Sequence, residues 1–143
     1  MPHLSRTALV EQKPEVVFNL VSDVESYPEF LPWCEYGQVE PIDNGIVHAT
    51  VGILKNGFRK SFVTRNRLYH YERIEMTLVE GPFKYLRGQW DFIPLGVSGC
   101  KVSLLLEYKF VGGILGVMTA PVFNRFADQL VDAFSLRAQS LGD

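Results

Sequence analysis

From Lys101 to Phe110 the chain alternates: Val102, Leu104, Leu106, Tyr108 and Phe110 fall on one side, Lys101, Ser103, Glu107 and Lys109 on the other. A period of two held this long marks a half-buried antiparallel strand. Gly112 and Gly113 end the alternation, and the spacing then becomes helical. Met118, Val122, Phe126, Leu130 and Phe134 step by four, flanked by Phe123 and Val131, which lays a wide apolar stripe along one helix face. A long greasy helix on an antiparallel sheet has two outcomes, a packed core or an enclosed hydrophobic cavity. Phe123, Phe126, Leu130 and Phe134 from the helix, with Trp90, Phe92, Leu104 and Leu106 from the strands, are the expected lining in either case.

Upstream, Leu4, Arg6, Ala8 and Val10 alternate with Ser5, Thr7 and Leu9, so residues 3–10 read as a first strand. Lys13-Pro14-Glu15 starts a helix, because Pro suits the first helical position and Glu favours the positive end of the dipole. Val16, Val17, Leu20 and Val21 supply its buried face. A second short helix carries Tyr27, Phe30 and Leu31, kept short by Pro28 and Pro32. Six strands follow at about 36–43, 46–54, 58–69, 72–80, 84–95 and 100–110. Asp43-Asn44-Gly45 and Lys55-Asn56-Gly57 read as tight hairpins. Glu80-Gly81-Pro82 and Val97-Ser98-Gly99 separate the later pairs. One strand, two short helices, six strands and a long helix predict an α+β helix-grip fold: a seven-stranded curved antiparallel sheet wrapped around a C-terminal helix. Pro121 either kinks that helix or restarts it, and a hinge there lets Gly112 to Met118 serve as a lid.

At 143 residues the chain suffices for one domain, 1–143, with a two-layer core. No run approaches the roughly twenty apolar residues of a membrane span, and the first residues lack a signal-peptide core. Cys34 and Cys100 sit in no paired motif and read as reduced thiols of a cytoplasmic protein. The net charge of −2 hides an uneven layout. Eight acids against one Lys between Glu11 and Asp43 make a local −7, and Lys55 to Arg87 makes a local +5. Such charge is either scattered over solvated strand faces or gathered into a basic face for RNA or anionic lipid. For the latter, Arg59, Lys60, Arg65, Arg67 and Arg73 are the candidates. No DNA partner is expected.

Catalytic signatures are scarce. His3, His48 and His70 have no Cys, Asp or Glu at metal-ligand spacing, and no HExxH, CxxC, GxGxxG, P-loop or GxSxG pattern occurs. Asp91 and Glu107 alternate outward with no visible partner. Abundant apolar wall with few polar groups fits either a lipid site or a plain core.

Several strings resemble one family. Ser5-Arg6-Thr7-Ala8-Leu9-Val10, Ser26-Tyr27-Pro28-Glu29-Phe30-Leu31-Pro32-Trp33-Cys34, Phe62-Val63-Thr64-Arg65-Asn66, Glu80-Gly81-Pro82-Phe83-Lys84 and Gly88-Gln89-Trp90-Asp91-Phe92 look like the coenzyme Q-binding START-like proteins of the SRPBCC superfamily. Within it they resemble the bacterial branch described as ribosome association toxins and as oligoketide cyclase/lipid transport proteins. The resemblance spans essentially the whole chain. It implies an apolar tunnel that binds an isoprenoid quinone such as ubiquinone, in support of respiration, with no enzymatic step and no other cofactor. It also implies the alternative of a toxin that binds the large ribosomal subunit and blocks subunit association, inhibiting translation initiation. The implied place is the cytoplasm, with transient contact at the inner membrane. Tyr27, Phe30 and Trp33, stiffened by two prolines, form a portal wall or a core cap. Tyr27, Thr64, Asn66 and Tyr108 are the candidates for contacting a quinone head near the portal.

Overall fold

A computed structural model of the chain describes residues 3–55, 58–81, 83–110 and 120–141; at 55, 58, 110, 120–124 and 126 it describes the backbone alone. Seven strands form one antiparallel sheet: β1 (His3–Val10), β2 (Cys34–Asp43), β3 (Ile46–Lys55), β4 (Phe58–Tyr69), β5 (Arg73–Glu80), β6 (Phe83–Leu95) and β7 (Gly99–Phe110). Their spatial order is β1-β7-β6-β5-β4-β3-β2. The last six strands are therefore a meander, and β1 pairs with β7 in the register Leu4↔Leu106 and Val10↔Cys100. The helix-grip expectation holds, with α2 (Ala120–Leu141) lying on the concave face.

Local chemistry accounts for the elements. α1 (Pro14–Ser22) has Pro in its first turn and Glu15 beside it, and buries Val17, Phe18, Leu20 and Val21. The second short helix is a 3₁₀ turn at Val24–Glu29 with Pro28 inside it, and it ends before Phe30 and Leu31, whose N–H groups both donate back to the Tyr27 carbonyl. β2 crosses closely beneath this turn. A Cβ at Gly37 would stand 2.1 Å from the Val24 carbonyl oxygen, so only glycine fits there. Gly45 turns the β2–β3 hairpin at φ 74°. The β6–β7 turn pivots on Gly96 at φ 64°, slightly earlier than its Val97-Ser98-Gly99 expectation. Lys55-Asn56-Gly57 and Pro82 involve positions outside the described residues, as does the Gly112-to-Met118 lid. Pro121 falls in the first turn of α2, and the choice between kink and restart rests on 111–119, outside the described residues.

The acidic segment also finds a structural reason. β2 is an edge strand carrying Pro41, Glu35, Glu40 and Asp43. Charge and proline on an edge discourage pairing with a second sheet.

Candidate functional site

The inner face of the sheet takes residues from β3 to β7: Ala49, Val51 and Ile53 of β3, Phe62, Thr64 and Asn66 of β4, Met76 of β5, Leu86 and Trp90 of β6, Leu104 and Leu106 of β7. Between this face and α2 lies a cavity of about 120 Å³. One water takes ~10–15 Å³ on that scale, so the void has room for roughly ten. The wall is almost wholly apolar. Among the described residues it carries no carboxylate, imidazole, amine or thiol.

Two buried polar side chains stand on this wall. Thr64 and Asn66 are 5% and 8% exposed, and Thr64 Oγ1 donates to Asn66 Oδ1 at 2.7 Å. Tyr27 also lines the void, but its hydroxyl donates to the Val21 carbonyl and is spent on the fold. Burial, with Cys34 and Asp23 adding to it, holds this phenol far above its ordinary pKa. The arrangement can exclude water and hold an apolar body with one polar spot. Among the described residues the wall adds no carboxylate, imidazole, amine or thiol to the Thr64 hydroxyl and the Asn66 amide.

The structure divides the expected lining. Tyr27, Trp33, Trp90, Leu104, Leu106 and Leu130 reach the void. Phe30, Phe92, Tyr108 and Phe134 do not. Phe134 is 1% exposed and packs edge-on against Tyr27, Phe30 and Trp90 at 5.2, 5.4 and 5.5 Å, so it is a core hub. Phe92 packs against Phe18 at 5.5 Å, below the cavity. Phe30 lies under the Arg137 guanidinium at 5.5 Å. Tyr108 is buried, and desolvation raises its pKa. The side chains of Phe123 and Phe126 are outside the described residues. Sequence reading missed Val24, Ala49, Val51, Ile53, Phe62, Met76, Leu86 and Ala127 as wall residues. For β3 and β4 the alternation was there to use. Ala127 has too small a side chain to stand out in the apolar stripe, yet it is buried and borders the void.

The basic candidates separate as well. Arg59 pairs with Glu35 at 2.9 Å, joining the acidic and basic segments instead of opposing them. Arg73 pairs with Asp91 at 2.9 Å and Glu75 at 3.6 Å, and its hydrogen bond to Asp91 raises its pKa. Asp91 and Glu107 thus do have partners, the latter Arg87 at 3.1 Å. Lys60 sits opposite Ile53, which places it on the concave side at the exposed end of the cavity. Arg65 and Arg67 remain exposed on the convex face, with no ion pair among the described residues. Two of the five candidates therefore present unpaired guanidinium groups there.

A sequence profile of the family described as "Polyketide cyclase / dehydrase and lipid transport" matches residues 10–135. The chain belongs to this family. Among curated members, "Ribosome association toxin RatA" of Escherichia coli strain K12 is 40% identical over 141 residues, 99% of this chain and 89% of that one. "Coenzyme Q-binding protein coq10, mitochondrial" of Schizosaccharomyces pombe is 23% identical over 136 residues, covering 92% and 83%. The crystal structure of the Zhui aromatase/cyclase from Streptomyces sp. R1128 superposes with a TM-score of 0.83 at 17% identity, covering 96% and 93%, which shows a shared fold. The curated family members above carry names of toxins or binding proteins, and the structural neighbour is an enzyme. Among the described residues, no helix is long and apolar enough to cross a membrane.

Proposed function

We propose that the chain is a carrier that binds a polyprenyl quinone, ubiquinone or a close analogue, in the cavity beneath α2. The observation that carries this reading is an apolar wall bearing the single buried polar pair Thr64–Asn66. A prenyl tail gains about 0.8 kcal/mol per buried CH₂, and a neutral ring needs only one or two polar contacts. The name of the Schizosaccharomyces pombe relative supports the same ligand class. Such a carrier works from the cytoplasm with transient contact at the inner membrane, in support of respiration. Native mass spectrometry of the purified chain, with solvent extraction of the bound lipid, tests the reading. Leu130→Trp is expected to abolish retention while the fold persists. A lipid-free wild-type chain that takes up no added quinone overturns it.

A second reading has its own observation. The name of the Escherichia coli relative, and Arg65 and Arg67 on the convex sheet face with no ion pair among the described residues, favour docking to the ribosome, which we assign to the large subunit. That surface lies on the opposite side of the sheet from the cavity, so the two activities are separable by mutation.

A further inference from the structure

We infer that the quinone enters head-first, a ring carbonyl accepting a hydrogen bond from the side-chain amide of Asn66 at the floor of the cavity. The inference rests on the quinone reading and deepens it. Down the inner face of β4 the order is Lys60, Phe62, Thr64, Asn66, Leu68. Lys60 is exposed, Phe62 half-buried, and Thr64 and Asn66 buried. Asn66 is the last β4 residue on the wall. The next pair down, Leu68 and Ile74, belongs to the solid core with Phe18 and Phe92. The polar spot is therefore deep, and the apolar length toward Lys60 is left for the tail.

Thr64 sets the orientation of the amide. Its hydroxyl donates to Asn66 Oδ1, which directs Nδ2 away from it, and Nδ2 has no hydrogen-bond partner among the described residues. Two N–H groups on an apolar wall are costly until something accepts from them. A neutral carbonyl oxygen meets that need. A carboxylate also accepts, but among the described residues the wall holds no cation to offset a buried charge. A plain hydrocarbon leaves the donors bare. The chemistry thus selects a neutral ring bearing a carbonyl, attached to a long apolar tail.

Decyl-benzoquinone and decylbenzene share a tail and differ in the ring carbonyls, so amide-resonance titrations with both isolate the head. The quinone is expected to bind wild-type protein about tenfold more tightly. Asn66→Leu is expected to bring the two within about threefold by weakening the quinone alone, and the nearly isosteric Thr64→Val to narrow the gap partway. In the wild-type chain, a nitroxide on the quinone ring should broaden the amides of Asn66 and Met76, and one at the tail end those of Ile53 and Phe62. This measurement decides the orientation even if Asn66→Leu does not fold. An undiminished quinone preference in folded Asn66→Leu, or the reversed broadening pattern, overturns the head-first assignment and leaves quinone binding standing. Failure of wild-type protein to bind either compound overturns the carrier reading itself.

Discussion

The Tyr27 ring lines the cavity while its hydroxyl is committed to the Val21 carbonyl, so wall and fold share one side chain. Tyr27→Phe should cost about 1 kcal/mol in a urea titration, the net worth of one hydrogen bond, and leave quinone affinity unchanged. A large loss of affinity with unchanged stability would return Tyr27 to the head site. Gly88 controls volume. A Cβ there would lie 2.6 Å from Leu106 Cδ2 and 2.7 Å from Met76 Cε, the free ends of two wall side chains. Gly88→Ala should press both into the void and weaken quinone binding while leaving the far-UV spectrum intact. The thiols report on burial instead. Burial pushes Cys34 and Cys100 from 9.0 up to about 11. A folded-state pKa above the unfolded one means stability is fully present below pH 9 and is lost as pH rises toward 11. Denaturant midpoints should fall across that window, and replacing both thiols by Ala should remove their share of the slope.

α2 is held to the sheet and to the 3₁₀ turn by two kinds of contact, and their weights differ. Arg6 pairs with Asp128, and Arg137 with Glu29 at 3.1 Å, both substantially exposed. Exposed pairs are worth about 0–1 kcal/mol each. Phe134, Val131 and Ala138 are buried, and Phe134 packs against both Trp90 of the sheet and Tyr27 of the 3₁₀ turn. Phe134→Ala should cost roughly 3–5 kcal/mol, against about 1 kcal/mol or less for Asp128→Ala. Thermal melts of the two variants check the ranking; equal costs would mean that the ion pairs dock the helix. The aromatic hub also explains why Phe134 sits off the cavity: three rings already surround it on the side where a wall residue would need to be bare.

Seen as one body, the sheet has a concave side covered by α2 and a convex side open to solvent. The convex side carries Arg65 and Arg67 unpaired among the described residues, with Arg73 and Arg87 bound to Asp91 and Glu107 nearby. If the ribosomal reading holds, Arg65→Glu with Arg67→Glu should abolish subunit co-sedimentation at moderate salt and leave quinone uptake unchanged. Each lost phosphate contact should flatten the salt dependence by a slope of roughly 0.7–0.9. Arg59→Glu should matter less, since Arg59 is already paired with Glu35. Undiminished co-sedimentation of the double variant would remove the convex face as the docking surface.

Much of this architecture was legible in the residue pattern. The alternation from Lys101 to Phe110 defined β7 and its buried side, Asp43-Asn44-Gly45 defined a hairpin, and Pro14-Glu15 defined the start of α1. Those signals are local, since strand period, turn chemistry and helix capping each act within a few residues. Thr64 and Asn66 could be named from the chain, but not their depth below Phe62 or the bond between them. Periodicity assigns a face and says nothing about what that face meets. Trp90 and Phe92 share one face of β6, yet Trp90 borders the void and Phe92 packs against Phe18. Charge runs were equally blind to partners: Glu35 lies 24 positions before Arg59 and reaches it only because β2 and β4 flank β3. Depth, void and pairing depend on how far apart the layers sit and which strands adjoin, and those are settled only when the whole sheet closes around its helix.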